Sequence, residues 1–300
     1  MNSFSLTDLE RVDHRQPILI AGPTASGKSD LAMEIARQYG GLIVNADAIQ
    51  VYSNWRVLSA RPSEKDETEI DHALYGHLAR DAHYSVGHWL REVRPLIHGA
   101  KRPIITGGTG LYFTALTQGL AELPAISESL RQEANAQVEK YGHQVLLKDI
   151  DADTQQKLDI QNPMRVQRAW EVQQATGKSL SYWHAQTPAA DLPLEDCCAI
   201  VMQTDTPWLN TRIEQRFDKM IKAGALEEAE EHLPKWNEKL LSSKAIGARE
   251  LVAYLRGQLS LEHAQQSATI ATRQFAKRQR TWFRSKMKHW NWFDATYSLR

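Results

Sequence analysis

Pro17-Ile-Leu-Ile-Ala21-Gly22-Pro-Thr-Ala-Ser-Gly27-Lys28-Ser29-Asp-Leu-Ala-Met-Glu-Ile-Ala-Arg-Gln-Tyr39 is the stretch from which the fold is read. Pro17 to Ala21 is a compact apolar run bounded by a turn signal, the pattern of a strand buried in a parallel sheet. Ser29 to Tyr39 spaces Leu31, Ala32 and Ile35 at helical intervals and stops at Gly40-Gly41. Between the two, Gly22 to Ser29 fits G-x-x-x-x-G-K-[ST], and a strand before it with a helix after it is the context of a phosphate loop. Gly22 and Gly27 let the backbone through Pro23, Thr24, Ala25 and Ser26 close on phosphate oxygens. The helix N-terminus adds partial positive charge, Lys28 supplies a point charge, and Ser29 offers a hydroxyl to Mg²⁺.

Further along, Leu42-Ile43-Val44 reads as a second strand, and a helical pattern runs from about His88 to His98. Arg102-Pro103-Ile104-Ile105-Thr106 is a third strand and leads into Gly107-Gly108-Thr109-Gly110. Strands alternating with helices specify a parallel α/β sheet. From about Leu120 the texture changes. Ser127 to Tyr141, Pro163 to Thr176 and Leu180 to Gln186 carry helical periodicity, with no strand-like run before Cys198 to Met202. Helical patterns then fill Pro207 to Leu233, Ala248 to Arg256 and Leu261 to about Lys288. The expected fold is α/β: a P-loop NTPase-like parallel sheet core from residues 13–120 and 200–300, an α-helical insertion domain at 121–199, and a helical C-terminal region.

Lys plus Arg and Asp plus Glu number 36 each, so attraction to a polyanion must come from the placement of charge and not from its total. No apolar run approaches the ~18 residues of a spanning helix, so no membrane association is expected. The arm MNSFSLTDLERVDHRQ has charges where a signal peptide has its apolar region, and a cytoplasmic location is expected. Cys197 and Cys198 are adjacent, which suits neither an ordinary bridge nor a CxxC zinc site, and they read as a reduced pair without chemistry. The acidic stretch Glu64 to Asp71 reads as a solvated face.

A phosphate cradle alone does not distinguish ATP from another diphosphate. The strand Ile104-Ile105-Thr106 ends in glycines where an ATPase would carry a magnesium-organising Asp, and the chain has no N-K-x-D guanine motif. Asp47, directly after Leu42-Ile43-Val44, is the acidic candidate at the carboxyl end of the sheet, as a base or metal ligand; a turn or helix N-cap is the plainer reading. In the last helical segment Arg273, Lys277, Arg280, Arg284 and Lys288 share one face, and residues 273–288 contain no acid. That face suits either phosphate contact or simple solvation. Phe275 and Trp282 fall on the opposite side, toward the core. Trp290, Trp292 and Phe293 also read as core.

GPTASGKS at Gly22, DAIQVY at Asp47 and GGTGLYF at Gly107 occur in that order at fitting separations. NPMRVQRAWEVQQATGKSL at Asn162, RIEQRFDKMIKAGALEE at Arg212, KAIGARE at Lys244 and TRQFAKRQRTWFR at Thr272 follow. In these blocks the chain resembles bacterial tRNA dimethylallyltransferases. The resemblance implies transfer of a dimethylallyl group from its diphosphate to N6 of the adenosine just 3′ of a tRNA anticodon, with Mg²⁺ as cofactor and a monomer as the expected state. It implies that Asp47 accepts from the adenine N6, that Thr24 and Thr109 lie near the reacting groups, and that Arg216, with Arg212 beside it, faces the diphosphate with Lys28. The adenosine must be flipped out of its stack. Asp47, Ala48, Ile49 and Gln50 would lie beside it, the Gln50 amide pairing with its edge. Arg131 and Met164, Arg165, Val166, Gln167 and Arg168 would approach the anticodon stem-loop from the insertion, and Lys277, Arg280 and Arg284 from the C-terminal helix. The chain departs from the family pattern at Ala48, where Ser is commoner, at Arg61 in place of Lys, and at Ala248, where Tyr or Arg is commoner. Rival readings are an isopentenyltransferase acting on free adenine nucleotide, a small-molecule kinase, and an RNA-binding module without catalysis.

Overall fold

Seven strands, every neighbouring pair parallel, form one sheet in the computed structural model, which describes residues 3, 4 and 6–298. Met1, Asn2 and Ser5 of the polar N-terminal arm lie outside the described residues. The strands are β1 (Ser3–Phe4), β2 (Ile18–Ala21), β3 (Leu42–Asn45), β4 (His72–Ala73), β5 (Pro103–Gly107), β6 (Cys198–Gln203) and β7 (Asn291–Asp294), in spatial order β1-β7-β6-β2-β5-β3-β4. The helices are α1 (Lys28–Tyr39), α2 (Glu64–Glu69), α3 (Val86–Ile97), α4 (Gly110–Gln118), α5 (Glu128–Tyr141), α6 (Ala152–Lys157), α7 (Pro163–Thr176), α8 (Leu180–Ala185), α9 (Thr206–Lys222), α10 (Ala225–His232), α11 (Ala248–Leu255), α12 (Leu261–Lys286) and α13 (Ala295–Ser298).

The central strand β2 pairs Ile18 to Ala21 with Ile104 to Gly107 on one side and with Cys198 to Val201 on the other. All four of its residues are buried, because a central parallel strand is covered on both faces. Ile18 and Ile20 join Ile43, Ile104 and Ile200 beneath Leu31 and Ile35 of α1. Leu19 lies on the opposite pleat face and is equally buried. The strands' carboxyl ends thereby bring three loops together: Gly22–Ser29 after β2, Ala46 onward after β3, and Gly108-Thr109 after β5.

The chain divides into two compact units. One takes in residues up to Thr117 and from Asp191 onward, and the other is Gln118–Ala190. The second unit has its own core, including Leu146, Val166, Ala169, Trp170 and Val172. Its helices begin at side-chain caps: Ser127 accepts from Leu130 N–H, Asn162 from Arg165, and Ser179 from Tyr182. The sequence carries the insertion to residue 199, whereas residues from Asp191 group with the sheet. The cause is hydrogen bonding: Leu192 N–H donates to Leu116 O at 3.1 Å, and Cys198 N–H to Pro17 O at 2.8 Å.

Helical periodicity locates α1, α3, α5 and α7 to α12, misses α4, α6 and α13, and misjudges several ends. The expected helix from Pro207 to Leu233 is broken at Gly224, whose φ of 100° leaves the right-handed region. α12 stops at Lys286, so Lys288 is not on its basic face. The acidic stretch forms α2, closed by a Ser63–Asp66 capping box. β1 and β4 are too short to show alternation, and β7 was legible only as buried aromatics. Cys197 and Cys198 are buried free thiols, pushed by burial up to about 12 and about 11. None of the described helices is long and apolar enough to cross a membrane.

Candidate active site

The phosphate loop takes its shape from two left-handed residues, Ala25 at φ 63° and Gly27 at φ 90°. Alternating hands turn successive N–H groups toward one concavity, which suits an anion. Ala25 adopts this conformation at some cost in strain, a feature that clusters at ligand sites. Behind the loop, Arg212 Nε donates to Ala25 O at 2.9 Å and its guanidinium lies 4.8 Å from the Trp208 ring centre. Arg212 therefore braces the loop from outside instead of facing a diphosphate beside Arg216.

Lys28 is half-buried, and its Nζ reaches only Pro23 O, at 3.4 Å. Burial pulls its pKa down to about 8, opposed chiefly by the charge of Asp47; Arg216 lowers it further. Arg216 of α9, also half-buried, is lowered by burial and raised by the same Asp47. Two cations held short of full solvation, each opposed in that shift by the charge of Asp47, favour an anion in contact with them.

Asp47 owes its orientation to Asn45, the last residue of β3, which is fully buried. Asn45 Oδ1 accepts from Asp47 N–H at 2.8 Å, while Nδ2 donates to Asp47 O at 3.0 Å and to Leu74 O at 2.9 Å. Asp47 Oδ1 accepts from Ile49 N–H at 2.9 Å, closing an Asx turn. The other oxygen, Oδ2, faces Gly108, 3.5 Å from where a Cβ there would sit. Thr109 Oγ1 accepts from Ala48 N–H at 3.0 Å, so Ala48 joins this loop through its backbone and needs no hydroxyl for it.

Both N–H groups of the Gln50 amide are committed, to Ser59 O at 2.9 Å and Ala60 O at 2.8 Å. The expected adenine pairing through that amide nitrogen is therefore not available; only Oε1 remains. The bonds hold Ala60 in its left-handed conformation, φ 51°.

The phosphate loop, the Asp47 loop and Arg216 line one cavity of 630 Å³. Thr24, Lys28, Ser29, Asp47, Thr109 and Arg216 supply its polar wall, and Leu58, Ile213, Phe217, Met220, Phe275 and Trp282 its apolar wall. The sequence assigned Phe275 and Trp282 to the core. They are half-buried and line the cavity, since an apolar cavity wall and a core carry the same periodicity. Gln279, missed in the sequence, lies on α12 at 6% exposure. Its Oε1 accepts from Thr24 N–H and its Nε2 donates to Gly108 O, each at 2.9 Å. Its sequence signal is its place in TRQFAKRQRTWFR, one of the blocks that carry the family resemblance.

Lys277 and Arg284 are exposed and lie outside this cavity. Arg280 and Arg284 border a separate hollow of 260 Å³ with Thr204 and Trp292, where β6 ends. Arg273 pairs with Glu214. In the second unit Met164 is 75% exposed, whereas Val166 is fully buried in that unit's core and cannot touch RNA. Gln167 donates to Asn135 and Glu171, Arg165 pairs with Asp159 at 3.4 Å, and Arg168 with Glu171 at 3.7 Å. Arg131 is half-buried on α5.

No three His, Cys, Asp or Glu side chains gather as a metal cage among the described residues. The exposed Ser29 hydroxyl on the cavity wall is an oxygen donor of the kind Mg²⁺ takes when it shares its shell with phosphate oxygens and water, so the residues fit that ion.

A sequence profile described as IPP transferase matches residues 50–286, and one described as isopentenyl transferase matches 16–75. The chain is 54% identical over 285 residues to a tRNA dimethylallyltransferase of Ruegeria sp. (strain TM1040), covering 95% of this chain and 98% of the relative. It is 55% identical over 276 residues to one from Roseobacter denitrificans, covering 92% and 98%. Among solved structures it is similar to the full-length tRNA isopentenylpyrophosphate transferase of Bacillus halodurans, at 30% identity and TM-score 0.66, covering 94% of this chain and 90% of that one. The fold is shared with a eukaryotic dimethylallyltransferase acting on tRNA, at 23% identity, TM-score 0.81, and coverage of 95% and 75%.

Proposed function

We propose, from the premise that this chain belongs to the IPP transferase family, that it transfers the dimethylallyl group of dimethylallyl diphosphate to N6 of the adenosine immediately 3′ of the tRNA anticodon, releasing diphosphate. The observation that carries this reading is the single cavity lined by both the phosphate loop and Asp47. A kinase would want a carboxylate after β5, and Gly107-Gly108 stands there.

In this reaction the allylic C1–O bond breaks, its electron pair leaves on the diphosphate, and the adenine N6 forms the new bond to C1. The N6 proton passes to Asp47, whose Oδ2 is free of the Asx turn that fixes Oδ1. Lys28, Arg216 and the loop N–H groups stabilise the charge gathering on the leaving group, which lowers the barrier because they are already oriented. Ser29 would be the protein's ligand to Mg²⁺, which when bound would supply further neutralisation of the leaving group. The apolar wall from Leu58 to Trp282 excludes water that would otherwise capture the allylic carbon. The base must be flipped from the anticodon loop to reach Asp47. Lys277, Arg280 and Arg284 on α12 are the RNA contacts of the first unit, and Met164, Arg165 and Arg168 on α7 are those of the second.

Incubation with radiolabelled dimethylallyl diphosphate and Mg²⁺, with unmodified tRNA in one reaction and AMP or ATP in another, tests the proposal. Label in tRNA alone is expected. Label in free nucleotide, or in neither, overturns it.

A further inference from the structure

We infer that Gln279 is a positioning residue that sets the distance between the leaving-group loop and the base-holding loop, and so the alignment of the two reactants. The inference rests on the proposed prenyl transfer and assigns it a residue with no part in the chemistry.

Three observations meet at this side chain. Its amide makes two hydrogen bonds of 2.9 Å, accepting from Thr24 N–H in the phosphate loop and donating to Gly108 O in the loop after β5. The loops lie 255 and 171 residues away in sequence. At their base Gly22 N–H donates to Gly107 O at 3.3 Å, and further out, among the described residues, no backbone hydrogen bond joins Thr24 to Gly108. Gly108 packs against the base-holding loop: a Cβ there would fall 2.2 Å from Gln279 Nε2 and 3.5 Å from Asp47 Oδ2, and the adjacent Thr109 Oγ1 accepts from Ala48 N–H at 3.0 Å. A primary amide accepts from one loop and donates to the other at once, whatever the pH. Asn has the same head group on a stem one methylene shorter. Buried at 6% exposure, the bridge is shielded from competing water. A displacement of about 1 Å in a reacting pair costs on the order of 10²-fold in rate, so a link fixing both loops governs turnover, although Gln279 itself borders the cavity.

Gln279→Glu supplies the discriminating test. A protonated carboxyl reproduces both bonds, its carbonyl accepting from Thr24 and its O–H donating to Gly108. The ionised form places a negative oxygen against Gly108 O. Nearby charges are Asp47 across Gly108, Lys28 in the loop, and Arg278 and Arg280 flanking it on α12. Label transfer to tRNA is measured for the wild type, Gln279→Glu and Gln279→Leu from pH 6 to 8.5, with thermal melting of each. Expected is a loss in kcat of about tenfold or more for the Leu variant at all pH, with KM for tRNA within about twofold of wild type. For the Glu variant, the ratio of its kcat to wild type should rise toward one as pH falls. A ratio flat with pH, an unchanged kcat in either variant, or loss of the cooperative melt in both overturns the inference, the last because Gln279 would then hold the fold. Absence of transfer by the wild type itself overturns the proposed function instead.

Discussion

Lys28 ties the electrostatics of the site to a measurable pH dependence. Its pKa lies at about 8, brought down from 10.5 mainly by burial. A lysine with a lowered pKa is charged below that value and loses its charge as pH rises through it. At pH 7 about nine in ten molecules carry the cation, and at pH 9 about one in ten. An anionic diphosphate favours the charged form, so above pH 8 binding must draw a proton back, and affinity falls about tenfold per unit until the pKa of the complex is reached. The dissociation constant of an unreactive thio analogue of dimethylallyl diphosphate, measured by calorimetry at constant Mg²⁺, is therefore expected to be about tenfold higher at pH 9 than at pH 7.5. In Lys28→Arg, whose guanidinium stays ionised, this rise disappears. In Lys28→Met, affinity is weak throughout and equally flat. A wild-type profile flat from pH 7.5 to 9.5, or a rise that survives in Lys28→Met, would refute the assignment of Lys28 as a half-buried cation facing the leaving group.

Asp47→Ala is expected to lower kcat for transfer by about 10²- to 10⁴-fold while tRNA affinity by filter binding changes little, and equal losses in both would remove Asp47 from the role of base. Gly108→Ala puts a methyl group 2.2 Å from Gln279 Nε2, at the movable end of a side chain; kcat should fall with a melting temperature within a few degrees of wild type, and unchanged turnover would count against the bridge. In the second unit, Val166→Ala leaves a void in a closed core and should cost about 1–3 kcal/mol in urea unfolding, whereas Met164→Ala should cost nothing measurable in stability but weaken tRNA binding. The reverse pattern would show that the two residues have been placed on the wrong faces of α7.

The phosphate loop and its two flanking elements were legible because their determinants are contiguous: an eight-residue pattern whose glycines set the backbone and whose lysine and serine side chains follow within one turn. Asp47 was legible by position, since a residue just past a parallel strand lies at the sheet's carboxyl end whatever surrounds it. Chain order alone also implied that the helical segment after Leu120 interrupts an α/β core. Side-chain direction was another matter. Val166 belonged to a block read as RNA-facing, and only the packing of α7 turned it inward while leaving Met164 exposed.

Gln50 offered an amide that looked free until the Ser59-Ala60 carbonyls were found to take both its hydrogens. Phe275 and Trp282 have the spacing of core residues, and the sequence has no means to tell a wall of a 630 Å³ cavity from a filled interior. Gln279 needed the sheet, α12 and two loops all in place before its hydrogen-bond partners existed. What the sequence by itself determined was local: which segments are strands and helices, and which loop cradles phosphate, because those follow from neighbours a few residues apart. What only the tertiary structure decided was which distant side chains converge and where each one's hydrogen bonds are already committed, because both depend on groups that meet only once the chain has folded.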